Sequence, residues 1–353
     1  MKTTGGIVCG ALLALSASWP AGAGEIVDTY SSGDTLTATM MNNIKAAVND
    51  NNTATRFYGD GSAGDYTVSM DENWYGTWSP LNLNFADFTI EAGTTLRVPA
   101  GTTIRCNGRF VNRGTLEVMS GAVGGRADTN RLSHPGDTAV STPLPEYGMA
   151  DDLSSNNYGS TIERARVIGS INSLRLGGAG GSGAFYSGGN GGGLVRIYCS
   201  GEIVNQGRIT AVGIDQPSSY NGGGGGGGGI VVLASRTGIS NSGDIDVSGG
   251  NGGDGSPVTG AGGGGGGGIV VLISPQIDET GAAYDVSGGL AGNEDANTGT
   301  QRSTPRSAGG SGGTSGGFGG WGSSLNATGV NTSATPGEDG YVIRVRANPA
   351  SML

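Results

Sequence analysis

The residues whose side chains could carry out catalysis are few and widely spaced. A Ser-His-Asp triad could use only His134, the single histidine of the chain. Residues 309–313 match the Gly-X-Ser-X-Gly pattern of hydrolase nucleophiles, but chance produces such matches in a glycine-rich chain and the strand-to-helix context is missing. One histidine and two cysteines beyond the N-terminal segment cannot form a usual zinc site. We therefore expect a non-catalytic protein without a cofactor; the alternative is a polysaccharide-cleaving β-helix enzyme, which would need paired acids in a cleft.

A calcium site is the one metal site that the sequence suggests. Residues 249–254 fit the first part of the glycine-rich nonapeptide that binds calcium in β-rolls. That motif works in tandem copies, and no second copy follows. Asp254 is the candidate ligand, and the alternative is a solvated loop carboxylate.

The cysteines Cys106 and Cys199 lie in closely similar sequences, residues 104–116 and 197–209. Equivalent residues of stacked strands lie about 4.8 Å apart, which is within the Cα separation that a disulfide spans. Two alternatives stay open: a disulfide between these cysteines, or two unpaired thiols in a core.

The composition excludes several classes of protein. Of 353 residues, 74 are Gly and 12 are Pro, which approaches the level of disordered chains. Only 14% are charged, however, whereas disordered chains usually have high net charge. No strict Gly-X-Y repeat is present, which excludes collagen. With 19 basic and 29 acidic residues, the chain is not expected to bind nucleic acid.

Residues 1–23 have the features of a secretory signal peptide. Lys2 precedes an apolar stretch at residues 7–15, and small residues favour cleavage after Ala23. The stretch is too short to span a bilayer, and no later stretch is apolar enough to do so. The sequence thus predicts a protein that is secreted to the extracellular space or the cell surface and that does not span the membrane.

Glycine runs repeatedly precede apolar strands. Gly222–Gly229 precede one such strand and Gly262–Gly268 precede another. The strands start at Leu194, Ile230, Ile269 and Tyr341, so that successive starts are 36, 39 and 72 residues apart. The last interval indicates that one unit has lost or replaced its strand. The residues expected to build this scaffold are Gly222, Gly226, Gly229, Gly262, Gly265, Gly268, Ile230, Val232, Ile269 and Val271.

A second repeated element follows the strands, an Asn-X-Gly sequence between apolar residues. It occurs at Asn112, Asn205 and Asn241 and predicts a tight turn in which the glycine supplies a positive φ. Each unit then consists of a glycine run, a buried strand, this turn, a short strand and a variable loop. The variable loops are residues 212–221, 251–259 and 290–308.

Strand periodicity extends upstream of the glycine runs. Residues 88–98 and 102–105 alternate apolar and polar side chains around glycine turns. Stacked units of this kind bury a continuous core that no single unit could bury. The expected fold class is mainly β, a repetitive β-solenoid with one short N-terminal α-helix, and the alternative is a β-sandwich-like stack.

Three structures are compatible with the glycine runs themselves. A flexible linker or disordered segment needs no fixed position in a repeat, whereas both long runs share one phase and end on apolar strands. A flat β-stack is the second structure. We favour the third, packed polyglycine type II helices of the polyproline-II form, because these have no internal hydrogen bonds and glycine backbones can approach closely enough to bond to each other.

The pattern of glycine run followed by strand over about residues 177–345 resembles the glycine-rich modules of long-tail-fibre tip adhesins of tailed phages. The resemblance implies packed polyglycine helices that present variable loops to a host surface. Residues 30–44 are also similar to lead-in segments of bacterial and phage fibre-like proteins, in which an oligomerising helix precedes a β-structured shaft. A signal peptide departs from the phage adhesins, which assemble in the cytoplasm, and points to a bacterial exported surface or filament protein.

One helix is expected at residues 37–48, capped by Asp34 or Thr35 and ended by Asp50. Its narrow apolar stripe is formed by Leu36, Met40, Ile44 and Val48. A helix of this length is not stable alone. It must therefore pack on the body of the protein or on copies of itself, and both alternatives stay open.

These patterns predict five parts and a function. The parts are a signal peptide (1–23), a lead-in with an oligomerising helix (24–56), the start of the solenoid (57–123), a loop insertion (124–176) and a glycine-rich repeat domain (177–353). The residues that could contact a ligand from the loops are His134, Tyr147, Tyr158, Tyr220 and Trp321; alternatively, the aromatic ones cover the ends of the stack. We expect a self-assembling structural protein that forms or decorates an extracellular fibre, and the alternative is a surface adhesin for glycans or a cell-surface receptor.

Overall fold

The structure of the protein is a computed structural model. It describes residues 37–75, 80–124, 187–216, 222–255, 260–293, 309–310, 312–325 and 331–352. The predicted signal peptide, nearly all of the predicted loop insertion and four predicted ligand-contacting residues (His134, Tyr147, Tyr158 and Tyr220) lie outside the described residues.

Most of the described strands form three parallel sheets of six strands each. The first sheet contains β1 (Tyr66–Val68), β4 (Phe88–Ile90), β7 (Phe110–Asn112), β10 (Ile203–Asn205), β13 (Ile239–Asn241) and β16 (Ile277–Asp278). The second contains β2 (Glu72–Asn73), β5 (Thr95–Val98), β8 (Thr115–Val118), β11 (Arg208–Thr210), β14 (Asp244–Asp246) and β17 (Ala283–Asp285). The third contains β3 (Asn84–Phe85), β6 (Thr102–Cys106), β9 (Leu194–Cys199), β12 (Ile230–Ser235), β15 (Ile269–Ile273) and β20 (Tyr341–Val345).

The chain visits the three sheets in the same order in every turn, one strand in each. Neighbouring strands of a sheet are parallel and in register, so that Asn112, Asn205 and Asn241 occupy equivalent positions in successive turns. This is a β-solenoid-like stack, as the repeat predicted, and the β-sandwich alternative is wrong. Each turn buries its apolar residues against the turns above and below it.

Strands β12 and β15 of the third sheet are buried on both faces, which explains their uninterrupted apolar sequences. Val231 and Leu233 of β12 face the interior of the solenoid, whereas Ile230 and Val232 belong to a separate apolar cluster on the outer face. Most strands of the other two sheets instead alternate buried and half-buried residues, as strands with one solvated face do.

Glycine-rich excursions leave the solenoid at the corner between the second and third sheets. In the first two turns residues 74–83 and 99–101 form this corner, whereas in later turns residues 119–193, 211–229, 247–268 and 286–340 separate the strands of the second and third sheets. The last excursion includes an antiparallel hairpin of β18 (Ser324–Leu325) and β19 (Asn331–Thr332). Because β15 pairs directly with β20, the long final interval holds extra glycine segments in place of a strand.

The helix α1 (Ala38–Tyr58) starts close to the predicted position but with a different cap. The side chain of Thr37 accepts a hydrogen bond from the backbone N–H of Met40 at 3.2 Å, and the Met40 sulfur accepts from the backbone N–H of Thr37. The cap predicted at Asp34 or Thr35 is therefore wrong, because Thr37 completes this reciprocal pair itself.

The predicted helix end at Asp50 is also wrong, because contacts with the solenoid extend the helix. Asp50 forms an ion pair with Arg236 at 2.6 Å. The ring of Phe57 stacks on Tyr198 of the third sheet with a centroid separation of 4.5 Å, and Tyr58 is fully buried. The boundary predicted after residue 56 thus falls inside α1, whose C-terminal half packs on the body. No helix in the described parts of the chain has the length and apolarity needed to cross a membrane.

The Asn-X-Gly turns form, but their glycines serve a purpose different from the predicted one. Gly114, Gly207 and Gly243 are not among the glycines with positive φ, whereas Gly281, in the corresponding turn between β16 and β17, has φ 87°. A Cβ on Gly207 would lie 2.0 Å from the carbonyl oxygen of Gly114, and one on Gly243 would lie 2.0 Å from that of Gly207. Glycine is required there because successive turns approach each other too closely for a side chain.

Candidate functional site

The glycine-rich excursions lie side by side and form an array next to the solenoid. The array, as described, contains segments 187–193, 211–216, 222–229, 247–255, 260–268, 286–293, 309–316 (without 311), 317–323 and 333–340. The loops predicted at 212–221, 251–259 and 290–308 belong to this array in their described parts, because backbone hydrogen bonds hold Gln216, Gly252 and Gly292. Those described parts of the predicted variable loops are therefore hydrogen-bonded segments of the array.

Segment 260–268 lies at the centre of the array, and its N–H groups point to three neighbouring segments in rotation. Each direction recurs at every third residue, and the N–H···O distances are 2.8 to 3.1 Å. Written as donor N–H and acceptor carbonyl, the pairs are Gly262 and Gly253, Gly263 and Gly310, Gly264 and Thr335, Gly265 and Gly250, Gly266 and Gly313, Gly267 and Glu338, and Gly268 and Val247. The donors therefore contact segments 247–255, 309–316 and 333–340 in turn.

The carbonyl groups of the same segment point to three further neighbours with the same period. The N···O distances are 2.7 to 2.9 Å. Written as donor N–H and acceptor carbonyl, the pairs are Gly292 and Gly262, Gly225 and Gly263, Gly320 and Gly264, Gly289 and Gly265, Gly228 and Gly266, and Gly317 and Gly267. The central segment is thus bonded to six neighbours, and residues 262–267 use both polar groups of every peptide unit. That satisfies the backbone of a fully buried segment without any side chain.

The predicted scaffold glycines lie at the points of closest approach in this array. A Cβ on Gly226 would lie 1.9 Å from the carbonyl oxygen of Asn190, and one on Gly265 would lie 2.0 Å from that of Gly226. Equivalent clashes of 2.0 to 2.2 Å would occur at Gly229, Gly262 and Gly268. Gly222 differs, because it has φ 58° at the entry to its run. The predicted apolar residues Ile230, Val232, Ile269 and Val271 are fully buried on the outer face of the third sheet.

The two cysteines are direct neighbours, as their sequence contexts predicted. Cys106 of β6 and Cys199 of β9 are paired in register in the third sheet, and both are fully buried free thiols. Burial, followed by a hydrogen bond with Cys106, raises the pKa of the Cys199 thiol well above its ordinary value. Of the two alternatives, the structure contains the unpaired thiols.

Asp254 and Trp321 both lie in the array. The Asp254 carboxylate accepts hydrogen bonds from the backbone N–H of Asn293 at 2.7 Å and from its side chain at 3.1 Å, and so joins two adjacent segments. Among the described residues, no group of three or more His, Cys, Asp or Glu side chains is arranged to hold a metal ion. Trp321 is half-buried, and its backbone N–H donates to the Thr335 hydroxyl at 2.8 Å.

A ladder of buried, hydrogen-bonded asparagine side chains runs through the solenoid. From the sequence, these asparagines were expected only to form turns. Asn112 donates to the side chain of Asn205 at 2.8 Å, and Asn205 donates to Asn241 at 2.8 Å. Asn241 donates to the Tyr284 hydroxyl at 3.0 Å. The recurrence of Asn as the third residue of β7, β10 and β13 was the available signal, because equivalent polar residues of stacked turns must face one another.

The ladder ends in a charged group at the last turn. The Tyr284 hydroxyl donates to Glu279 at 2.6 Å, and Arg344 of β20 donates to the other carboxylate oxygen of Glu279 at 2.7 Å. The Arg344 hydrogen bond holds the pKa of Glu279 below its usual value, whereas burial and the bond to Glu279 raise the pKa of Tyr284. This group ties the three sheets together at the end of the stack.

Comparisons with protein-family models, curated proteins and solved structures find no match to the chain. The architecture and the geometry of the glycine array therefore carry the functional argument.

Proposed function

We propose that the glycine array is a bundle of polyglycine type II helices. This helix has three residues per turn and no internal hydrogen bonds. The partners of segment 260–268 change with a period of three and number six, which fits such a helix. A flat β-strand points its groups in only two opposite directions within a sheet, and so would not reach six neighbours.

We further propose that the protein is an exported, non-catalytic structural protein that forms or decorates an extracellular filament. The single observation that carries this proposal is the stack itself. Each of the three sheets begins and ends on a strand that has one neighbour among the described residues. Strands with unpaired edges add further strands readily, so a second copy can continue all three sheets. The signal-like N-terminus and the resemblance to exported fibre-like proteins support the same function.

The free edge of β1 can be located from its hydrogen bonds. The Tyr66 N–H donates to Asp87, and the Val68 carbonyl accepts from Glu91, so both residues point their peptide groups toward β4. The peptide groups of the intervening Thr67 therefore point away from β4. Proline at Thr67 would remove the N–H at this free edge and leave the bonds to β4 in place.

Electron microscopy of the purified, secreted protein tests this proposal. We expect ordered filaments from the wild type and from Thr67→Ala, and loss or strong shortening of filaments in Thr67→Pro. Circular dichroism of all three proteins checks that the solenoid is intact. Monodisperse monomers or trimers of the wild type would contradict filament assembly.

The second candidate function is that of a surface adhesin, and the outer segments of the array favour it. Ser287, Leu290 and Asn293 are spaced by three residues on segment 286–293, and all three are exposed. Outward side chains on such a scaffold can vary without disturbing its backbone bonds. Monodisperse protein that binds cells or glycans would support this candidate.

A further inference from the structure

A groove of about 440 Å³ follows the Asn-X-Gly turns between the first and second sheets. The glycines of the turns, Gly114, Gly207 and Gly243, lie along it in successive turns of the solenoid. Because equivalent residues of stacked strands are about 4.8 Å apart, the groove runs parallel to the axis of the stack and crosses several turns.

The walls of the groove are the residues that precede and follow each turn glycine. Arg113 and Gln206 form part of one wall, and Thr115, Arg208 and Asp244 form the other. Arg113, Gln206, Arg208 and Asp244 are exposed. Arg208 is held by an ion pair with Asp246 at 2.5 Å, whereas Arg113 and Asp244 form no ion pair within the described part of the chain.

The polar groups of the walls restrict the kind of ligand. No large apolar side chain lines the groove, which excludes an apolar ligand or the apolar face of a helix. The backbone groups of the turns are already used between turns, since the N–H groups of Arg208 and Asp244 donate to Gly114 and Gly207. An added peptide strand would therefore find no backbone ladder to join.

The two arginines of the groove lie in successive turns and on opposite walls. Guanidinium groups bind carboxylates through paired, charge-assisted hydrogen bonds. The side chains of Gln206, Thr115 and Asp244 supply both donors and acceptors for hydroxyl groups. We propose that this groove binds an extended acidic oligosaccharide, whose carboxylate lies at Arg113 and Arg208 and whose hydroxyls contact Gln206, Thr115 and Asp244.

This inference rests on the adhesin candidate and names the class of its ligand, and it does not require filament assembly. In this proposal the ligand binds the side of the solenoid, whereas the sequence predicted contacts from the loops between the glycine runs. The groove variants change Arg113 and Asp244, which follow strands two and four positions along the first sheet from β1. Groove variants and the Thr67 edge variant therefore separate the two functions.

Titration calorimetry with short oligosaccharides tests the inference on the full-length secreted protein. The probes are a galacturonic acid oligomer, the neutral galactose oligomer of the same linkage and an oligoglutamate of similar length. We expect the wild type to prefer the galacturonic acid oligomer, and Arg113→Ala to weaken its binding by about tenfold to a hundredfold, as for the loss of a charged hydrogen-bond partner. Asp244→Ala should weaken both oligosaccharides, because hydroxyl contacts are common to them.

The matched control is Arg56→Ala, which removes the same charge from an exposed position on α1. It should bind like the wild type. Equal binding by the wild type and Arg113→Ala, a preference for oligoglutamate, or no binding of the galacturonic acid oligomer would each overturn the groove site. If the protein binds glycans equally well in all variants, the adhesin candidate stands while the groove fails.

Discussion

At the scale of single residues, the asparagine ladder shows how a polar side chain can be stable inside an apolar core. Asn112, Asn205 and Asn241 are essentially inaccessible to solvent, yet each amide bonds to the next. Because the turns are in register, one asparagine per turn supplies both the donor and the acceptor of the ladder's hydrogen bonds. At the first rung the Asn112 Oδ1 atom has no hydrogen-bond partner in the described structure, since Ile90 occupies the equivalent position in the preceding turn.

Asn205→Ala should destabilise the protein by about 2 to 4 kcal/mol, because it leaves the side-chain oxygen Oδ1 of Asn241 without its hydrogen-bond donor and opens a cavity. Chemical denaturation measures the change. Ser240→Ala, on the half-buried side of β13, is the control and should change the stability by less than about 0.5 kcal/mol. Equal effects of the two substitutions would mean that the ladder contributes no net stability.

At the scale of elements, two kinds of glycine must be distinguished by what a Cβ would meet. Gly226 lies in the array against the carbonyl of Asn190, whereas Gly238 has no atom closer than 4.0 Å to an added Cβ. Gly226 lies within a run of eight glycines, whereas Gly238 stands alone between Thr237 and Ile239. The two glycines differ in whether the backbone of a neighbouring segment lies where a Cβ would be.

Gly226→Val should prevent soluble folding or assembly, and Gly226→Ala should lower the melting temperature strongly, because neighbouring backbone at 1.9 Å cannot move aside. Gly238→Ala should change the stability by at most about 1 kcal/mol. Soluble yield and thermal melting measure both. A stable, assembly-competent Gly226→Val protein would be incompatible with the dense array.

The sequence was informative wherever side chains determine the structure. The strands at Ile230 and Ile269 were predictable because burial on both faces leaves an uninterrupted apolar run. The adjacent positions of Cys106 and Cys199 in neighbouring strands followed from the repeat. The neighbours of segment 260–268 could not be predicted, because identical glycines carry no information about which segment bonds to which. The C-terminal half of α1 was missed because its helix depends on tertiary contacts of Asp50 and Phe57.

At the scale of the whole molecule, two modes of packing are joined covalently in the later turns, from β9 onward. The solenoid is held by an apolar core, and the array is held by hydrogen bonds between backbones. The junction lies where a glycine run continues into a strand of the third sheet, as at Gly229 and Ile230. Order in the array therefore depends on the register that the solenoid provides.

Hydrogen–deuterium exchange tests whether that order persists in solution. Amides of residues 222–229 and 262–268 should exchange far more slowly than those at the exposed N-terminal turns of α1, because opening one array segment breaks bonds to several others. Mass spectrometry of peptides from these regions gives the comparison within one sample. Exchange of the glycine runs at the rate of free peptides would rule out a rigid array.

The six-fold bonded central segment has a thermodynamic consequence. Unfolding it hydrates peptide groups but almost no hydrocarbon, and hydration of polar surface lowers the heat capacity whereas hydration of apolar surface raises it. This protein should therefore have an unfolding heat capacity per residue below the about 12 to 15 cal/mol/K that is typical of globular domains. Its stability would then vary less steeply with temperature than that of a globular domain of the same length, and the folded state would persist over a wider range of temperatures.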